Sequence, residues 1–126
     1  MKEYSKEFIV EKKHLADITG SGSVPVLSTP SLLCFIENTC LNNMTCAIYS
    51  PENSEKTSVS VKCSLEHLHP VIEKKKIICH SIMSIENKNK FHFVVKVFCD
   101  DVLIAKCDHV RYLVPKDFYL YSHSQI

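Results

Sequence analysis

The clearest alternation of apolar and polar positions runs from Ser58 to His67. Val59, Val61, Cys63, Leu65 and His67 fall on one face, and Ser58, Ser60, Lys62, Ser64 and Glu66 on the other. A period of two predicts a half-buried strand, with His67 on its apolar side at the far end. Ile77, Cys79, Met83 and Ile85 share a face of a second strand. Phe91, Phe93, Val95, Val97 and Cys99 do so in a third, which ends at Asp100-Asp101. Val102 to Val114 forms a fourth, stopped by Pro115. A weaker pattern of Tyr4, Phe8 and Val10 predicts an opening strand between Tyr4 and Lys12. The short polar turns make the successive later strands antiparallel hairpin neighbours.

Between the first strand and the rest the period changes. Thr29 is a natural N-cap, and Pro30 would follow at the first helical position, where its missing N–H is no loss. From Leu32 to Ile36 every residue is apolar, as in a helix buried on all sides. Asn42-Asn43 is the expected fraying point, and the polar segment from Ser50 to Lys56 separates helix from sheet. Both glycines, Gly20 and Gly22, lie just before the helix, which marks a segment needing unusual backbone angles or close approach. One strand, a helix and four antiparallel strands pack most economically with the sheet wrapped around the helix, an α+β arrangement.

Composition then narrows the class. The 126 residues suit one domain, 1–126, able to form a single core. A net charge of +1 offers no basic stripe for phosphates, so no nucleic-acid partner is expected. No run approaches 18 apolar residues, and the N-terminus has no apolar leader, so no membrane association or export is expected. The seven cysteines are odd in number and lack metal-finger spacing. They read as free thiols, mostly small buried hydrophobes, in a reducing cytoplasm, with no metal.

One charge stands out. Glu37 directly follows the apolar run, and a buried carboxylate is costly unless paired, hydrogen-bonded or protonated. It sits either at the helix's wet edge or where chemistry needs it.

The motifs bring a resemblance. Gly20-Ser21-Gly22-Ser23-Val24-Pro25-Val26-Leu27-Ser28-Thr29-Pro30 followed by Glu37 resembles the pre-helix element of the fluoroacetyl-CoA thioesterase-like family of hot-dog thioesterases. His67-Leu68-His69-Pro70 resembles that family's H-L-x-P element, and Ala105 to Arg111 its late G-x-G-T-H-x-R strand. The similarity runs in order from about Phe8 to Phe118. Departures fall at Ala105, Cys107 and Lys74, where the family has glycine. The resemblance implies a hot-dog fold, an antiparallel β-sheet wrapped around a central α-helix. It implies a homodimer that hydrolyses a small acyl-CoA thioester, with coenzyme A entering only as part of the substrate and no separate cofactor. The catalytic trio it implies is Thr29, Glu37 and His67.

Each member has a plainer alternative: a helix cap for Thr29, an exposed-edge carboxylate for Glu37 and a satisfied core histidine for His67. As a trio they suit thioester hydrolysis. The carbonyl would rest at the helix N-terminus, His67 would move a proton, and Glu37 would act as base or nucleophile. His109 and Arg111, on one strand face, read as a polar pair. His69 reads as a loop residue, and His14, His80, His92 and His123 have no evident partner. Lys74-Lys75-Lys76 reads as a solvated turn, or a contact for coenzyme A phosphates. The alternatives are a non-catalytic acyl-CoA-binding hot-dog module and a hydratase. The hydratase reading is disfavoured because Asp17 has Gly22 where an Asp-x-x-x-x-His pair needs histidine.

Overall fold

The computed structural model describes residues 2–48 and 50–122. Five strands, β1 (Lys2–Ile9), β2 (Lys56–His67), β3 (Lys76–Ile85), β4 (Lys90–Cys99) and β5 (Val102–Pro115), form one sheet in the order β1-β3-β4-β5-β2. All pairings are antiparallel. Short α1 (Ala16–Thr19) precedes the long α2 (Thr29–Ile48), which lies on the sheet, and α3 (Tyr119–Ser122) ends the described chain.

The β3–β4 and β4–β5 hairpins form as their short turns require. Strands β2 and β3, consecutive in the chain, are nevertheless not neighbours: β2 pairs with β5, and β3 with β1. The connection between them crosses the end of the sheet instead of turning back. It is held there because the Leu27 N–H donates to the Val71 carbonyl at 2.7 Å and the Lys74 N–H to the Val10 carbonyl at 2.7 Å. Lys74 reverses the chain into β3 with a left-handed φ of 76°. The result leaves β2 as an edge strand.

A bulge between Ser60 and Lys62 resets the phase of β2. Ser58 therefore turns inward and Val61 outward, 49% exposed, the reverse of an unbroken alternation. Beyond the bulge Cys63, Leu65 and His67 return to the helix side, half-buried. On the central strands Ile77, Cys79, Met83, Phe91, Phe93, Val95 and Val97 are buried as their period requires. Ile85 is exposed, beyond the reach of the helix.

The sheet covers α2 on one side only. Leu32, Phe35, Ile36, Cys40 and Met44 join the core, whereas Leu33 is half-buried and Cys34 exposed. The expectation of a helix buried on all sides is thus corrected, because five strands lie against one face. The helix also continues through Asn42 and Asn43 to Ile48. Buried Asn43 donates to Ser81 Oγ at 3.0 Å, and Lys6 Nζ donates to Asn38 and Asn42 at 2.6 and 2.8 Å, so these amides tie α2 to β1 and β3. Ahead of α2, Gly20 ends α1 with a φ of 84°, and a Cβ on Gly22 would meet the Ala16 side chain at 3.1 Å.

The cysteines are free, but not uniformly buried: Cys34 and Cys46 are exposed. Burial pushes the Cys40, Cys79 and Cys107 thiols up to about 12, so these three are inert packing groups. Among the described residues no helix is long and apolar enough to cross a membrane.

Candidate active site

The start of α2 differs from the sequence expectation by one residue, and the difference matters. Ser28, not Thr29, is the N-cap: the Ser31 N–H donates to Ser28 Oγ at 3.2 Å and the Leu32 N–H to the Ser28 carbonyl at 3.0 Å. Thr29 is then the first helical residue and Pro30 the second. With Ser28 serving the helix, the Thr29 hydroxyl is released, and it lies 2.9 Å from His67 Nδ1.

His67 is the last residue of β2, and that strand end is brought against the start of α2. The ring points inward as the phase after the bulge requires. His69 lies exposed in the loop beyond, its Nδ1 2.8 Å from the Pro70 carbonyl. Burial lowers the pKa of His67, with the His69 backbone opposing, so the neutral ring is favoured. His67 Nε2 is buried and has no hydrogen-bond partner among the described residues. Thr29, at the positive end of the α2 dipole, also presents a backbone N–H for which no acceptor is found among the described residues. A cleft of about 260 Å³ opens over the pair, lined also by Ala16, Ser21, Leu68 and Pro70.

Glu37 is not part of that pair. It lies eight residues along α2 from Thr29, roughly 12 Å at the helical rise. It stands instead beside Cys63 and His109, with the three donor atoms within 4.8 Å of one another. Those are metal-ligand types, but His109 has no lone pair to give. Its Nδ1 lies 2.9 Å from the Lys62 carbonyl, which can only accept, so Nδ1 carries the proton. Its Nε2 lies 3.1 Å from Arg111 Nη1, which can only donate, so Nε2 is already accepting. Cys63 Sγ, 3.0 Å from Nδ1, shares the same N–H. A ligating histidine ordinarily donates from its second nitrogen to an acceptor, and here that nitrogen faces a guanidinium.

Arg111 is itself 6% exposed and held by Ser58, with Nε 2.8 Å from Oγ and Nη2 3.0 Å from the carbonyl. Burial lowers its pKa, and the charge of Glu37 opposes the shift without an ion pair between the two. Burial likewise lowers the pKa of His109, with Arg111 adding to the shift. The expected His109–Arg111 pair is present, and it forms the floor under Glu37.

The remaining histidines have local partners. His14 Nδ1 accepts the Glu11 N–H, His80 Nδ1 meets Ser5 Oγ at 2.7 Å, and His92 lies 3.5 Å from Asp108. His123 lies outside the described residues. Lys75 and Lys76 pair with Asp100 and Glu7, and Lys74 is exposed, as a solvated turn requires. Three participants were not singled out from the sequence. Ser28 could have been found as a second capping residue beside Thr29. Ser58 could not, since its inward place depends on the bulge; Cys63 reads as inward, but only the β2–β5 pairing brings it to His109.

A second cavity, about 290 Å³, opens at the other end of α2 between Leu41, Met44, Ile48 and the start of β2, with Lys56 and Lys116 at its rim.

A family model described as fluoroacetyl-CoA-specific thioesterase, FlK, matches residues 10–117. No curated protein matches by sequence. Among solved structures, a mutant of FlK superposes with a TM-score of 0.85 at 11% identity, covering 98% of this chain and 93% of that one. A thioesterase superfamily member from Thermus thermophilus gives 0.83 at 14% identity, covering 98% and 88%. A hot-dog-like protein from Thermanaerovibrio acidaminovorans gives 0.82 at 12% identity, also covering 98% and 88%. The five-stranded antiparallel sheet with its long helix is thus a hot-dog fold.

Proposed function

Because the chain belongs to the fluoroacetyl-CoA-specific thioesterase family, its reaction is hydrolysis of an acyl-CoA thioester, and we propose that Thr29 and His67 of one copy and Glu37 of a second carry it out. The observation that carries this reading is the 2.9 Å Thr29–His67 contact at the head of α2, beneath an open cleft. Structures of FlK hold acetyl-CoA, or fluoroacetate with CoA, which supports a substrate of that class here.

The thioester oxygen rests against the Thr29 N–H and the helix dipole, which stabilise it as it becomes negative. The Thr29 hydroxyl donates into His67 Nδ1, so the ring's own proton sits on the buried Nε2. Neutral His67 then takes a proton from the water consumed, directly or relayed through the Thr29 hydroxyl, and returns it to the leaving sulfur. Glu37 supplies the attacking carboxylate or activates the attacking water.

Glu37 cannot reach that carbonyl from the same chain. It lies roughly 12 Å from Thr29 along α2, and Cys63, its neighbour, lies roughly 13 Å from His67 along β2. An antiparallel pair of α2 helices about a two-fold at Leu33 sets the partner's Glu37 beside Thr29, and the reverse. The half-buried Leu33, the exposed Cys34 and the open edge of β2 support such a homodimer, since each is a liability in a lone chain. The cysteine state fits the cytoplasm as the working compartment.

The test is complementation. Thr29→Ala and Glu37→Gln chains are each expected to lose coenzyme A release from short acyl-CoAs. Unfolding and refolding them together should restore about a quarter of wild-type activity, since half the dimers are mixed and each holds one intact site. Full activity in both single variants would remove Thr29 and Glu37 from the reaction, and no coenzyme A release from the wild type would leave a non-catalytic acyl-CoA binder. Absence of rescue would place the trio within one chain.

A further inference from the structure

One strained residue near the cleft is accounted for neither by the fold nor by the proposed chemistry. Lys74 holds a left-handed φ of 76°. Asp100 and Asp101 are the other non-glycine residues of positive φ among those described, and they form the two-residue turn between β4 and β5. Aspartate suits that region, because its short side chain bonds the local backbone. Lysine has no such compensation, and glycine would make the same reversal without strain. Backbone strain of this kind clusters at ligand-binding sites.

The Lys74 side chain is available for a ligand. Of the three consecutive lysines, Lys75 pairs with Asp100 at 2.7 Å and Lys76 with Glu7 at 3.5 Å. Lys74 is exposed and has no ion-pair partner among the described residues.

Shared walls connect this turn to the cleft. His69 and Pro70 line the cleft over the Thr29–His67 pair, and both also line a neighbouring cavity of about 230 Å³. Ile72 and Val102, 60% and 45% exposed, give that cavity apolar walls, and the Lys75–Asp100 pair lines it too. Lys74 precedes Lys75 and lies four residues beyond Pro70. Four residues span at most about 14 Å even when fully extended. A path that starts at the thioester, crosses Pro70 along exposed apolar side chains and comes out near an unpaired cation fits a pantetheine arm with phosphate at its far end.

We infer that the coenzyme A arm of the substrate leaves the cleft over Pro70, lies along Ile72 and Val102, and is held at its phosphates by Lys74. This rests on the proposed thioesterase reading and makes Lys74 the residue that favours coenzyme A over thioesters without phosphate. The attraction is between exposed charges, so it is modest and is screened by salt.

The test compares hydrolysis of acetyl-CoA with that of acetyl-pantetheine, which has the same arm and no phosphate. Glycine suits this backbone, so Lys74→Gly keeps the turn and should melt no lower than the wild type. Its KM for acetyl-CoA should rise about threefold to fivefold with kcat unchanged. Its hydrolysis of acetyl-pantetheine should match the wild type. Lys74→Arg should keep the wild-type KM, whereas Lys74→Glu, which replaces attraction by repulsion, should raise it about tenfold. In 1 M salt, where the screening length is about 3 Å, the acetyl-CoA KM values of Lys74→Glu and wild type should converge. An unchanged KM for acetyl-CoA in both Lys74→Gly and Lys74→Glu would overturn the phosphate contact and leave the thioesterase reading standing. An equal loss on the two thioesters would do the same. Wild-type turnover of an acetyl group on a carrier protein but not on coenzyme A would also overturn it. No release from any thioester by the wild type would remove the reading on which the inference rests.

Discussion

His67 and His109 sit on the same side of the sheet, in adjacent strands, and both have their pKa lowered by burial. Their surroundings differ in one respect. Both nitrogens of His109 are committed, Nδ1 to a carbonyl and Nε2 to Arg111. At His67 only Nδ1 is engaged, by the hydroxyl of Thr29, and Nε2 is buried with nothing to bond among the described residues. An unpaired buried nitrogen costs stability that nothing nearby repays. A histidine whose bonds are all made holds a structure together; one left half-made beside a cleft is free to move a proton.

The largest effect should come from breaking that contrast at its active end. His67→Ala is expected to lower kcat/KM for thioester hydrolysis by about two to four orders of magnitude, the range for losing general acid–base help. Its unfolding midpoint should change little, because the side chain makes a single hydrogen bond. His69→Ala should match the wild type in both assays. Equal activity in the two variants would end the proton-transfer role of His67.

His109→Ala should do the opposite. Removing a fully buried ring leaves a cavity and deprives the buried Arg111 of an acceptor, for a loss of about 3 kcal/mol in denaturant unfolding. A variant as stable as the wild type would show that the Arg111–His109 bond contributes nothing. Smaller again is Ser28→Ala, which removes the cap of α2 at a cost of about 1 kcal/mol. That variant also separates cap from site: if the helix recruits the Thr29 hydroxyl as a substitute, the Thr29–His67 contact is lost and activity falls with stability.

Much of this was legible in the sequence, for reasons that also explain the rest. Period-two runs placed β3, β4 and β5 and put His67 inward, because inward and outward positions alternate wherever one face is buried. The same rule misplaced Val59 and Val61, since a bulge leaves no mark in composition. Thr29 and Ser28 are interchangeable as caps by residue type, and only the hydrogen bonds choose between them. The neighbours of β2 were misjudged because the segment from Leu68 to Lys75 is short enough for a hairpin, yet its backbone bonds to Leu27 and Val10. Nothing local to Glu37 shows that its companions are Cys63 and His109, in strands with two others between them in the sequence.

The smallest predicted effect concerns pH, and it tests both histidines at once. In the unfolded chain each titrates near the ordinary value of 6.5, while in the fold burial holds each below it. As pH falls through 6.5 the unfolded chain binds protons that the folded chain refuses, so the stability these groups contribute is present above 6.5 and is lost down through their lowered folded values. Each histidine adds at most about 1.4 kcal/mol per pH unit to that slope. Thermal unfolding between pH 8 and pH 5 should therefore fall on the acid side in the wild type. His67→Ala and His109→Ala should each flatten the fall, although they differ widely in stability at neutral pH. Activity separates them. Because His67 acts as a neutral base, kcat/KM should be flat above 6.5 and decline below it, and the decline should persist in His109→Ala at temperatures where that variant is folded. An acid limb above 6.5, or one that disappears with His109, would assign the titration to a different group and place the working base elsewhere.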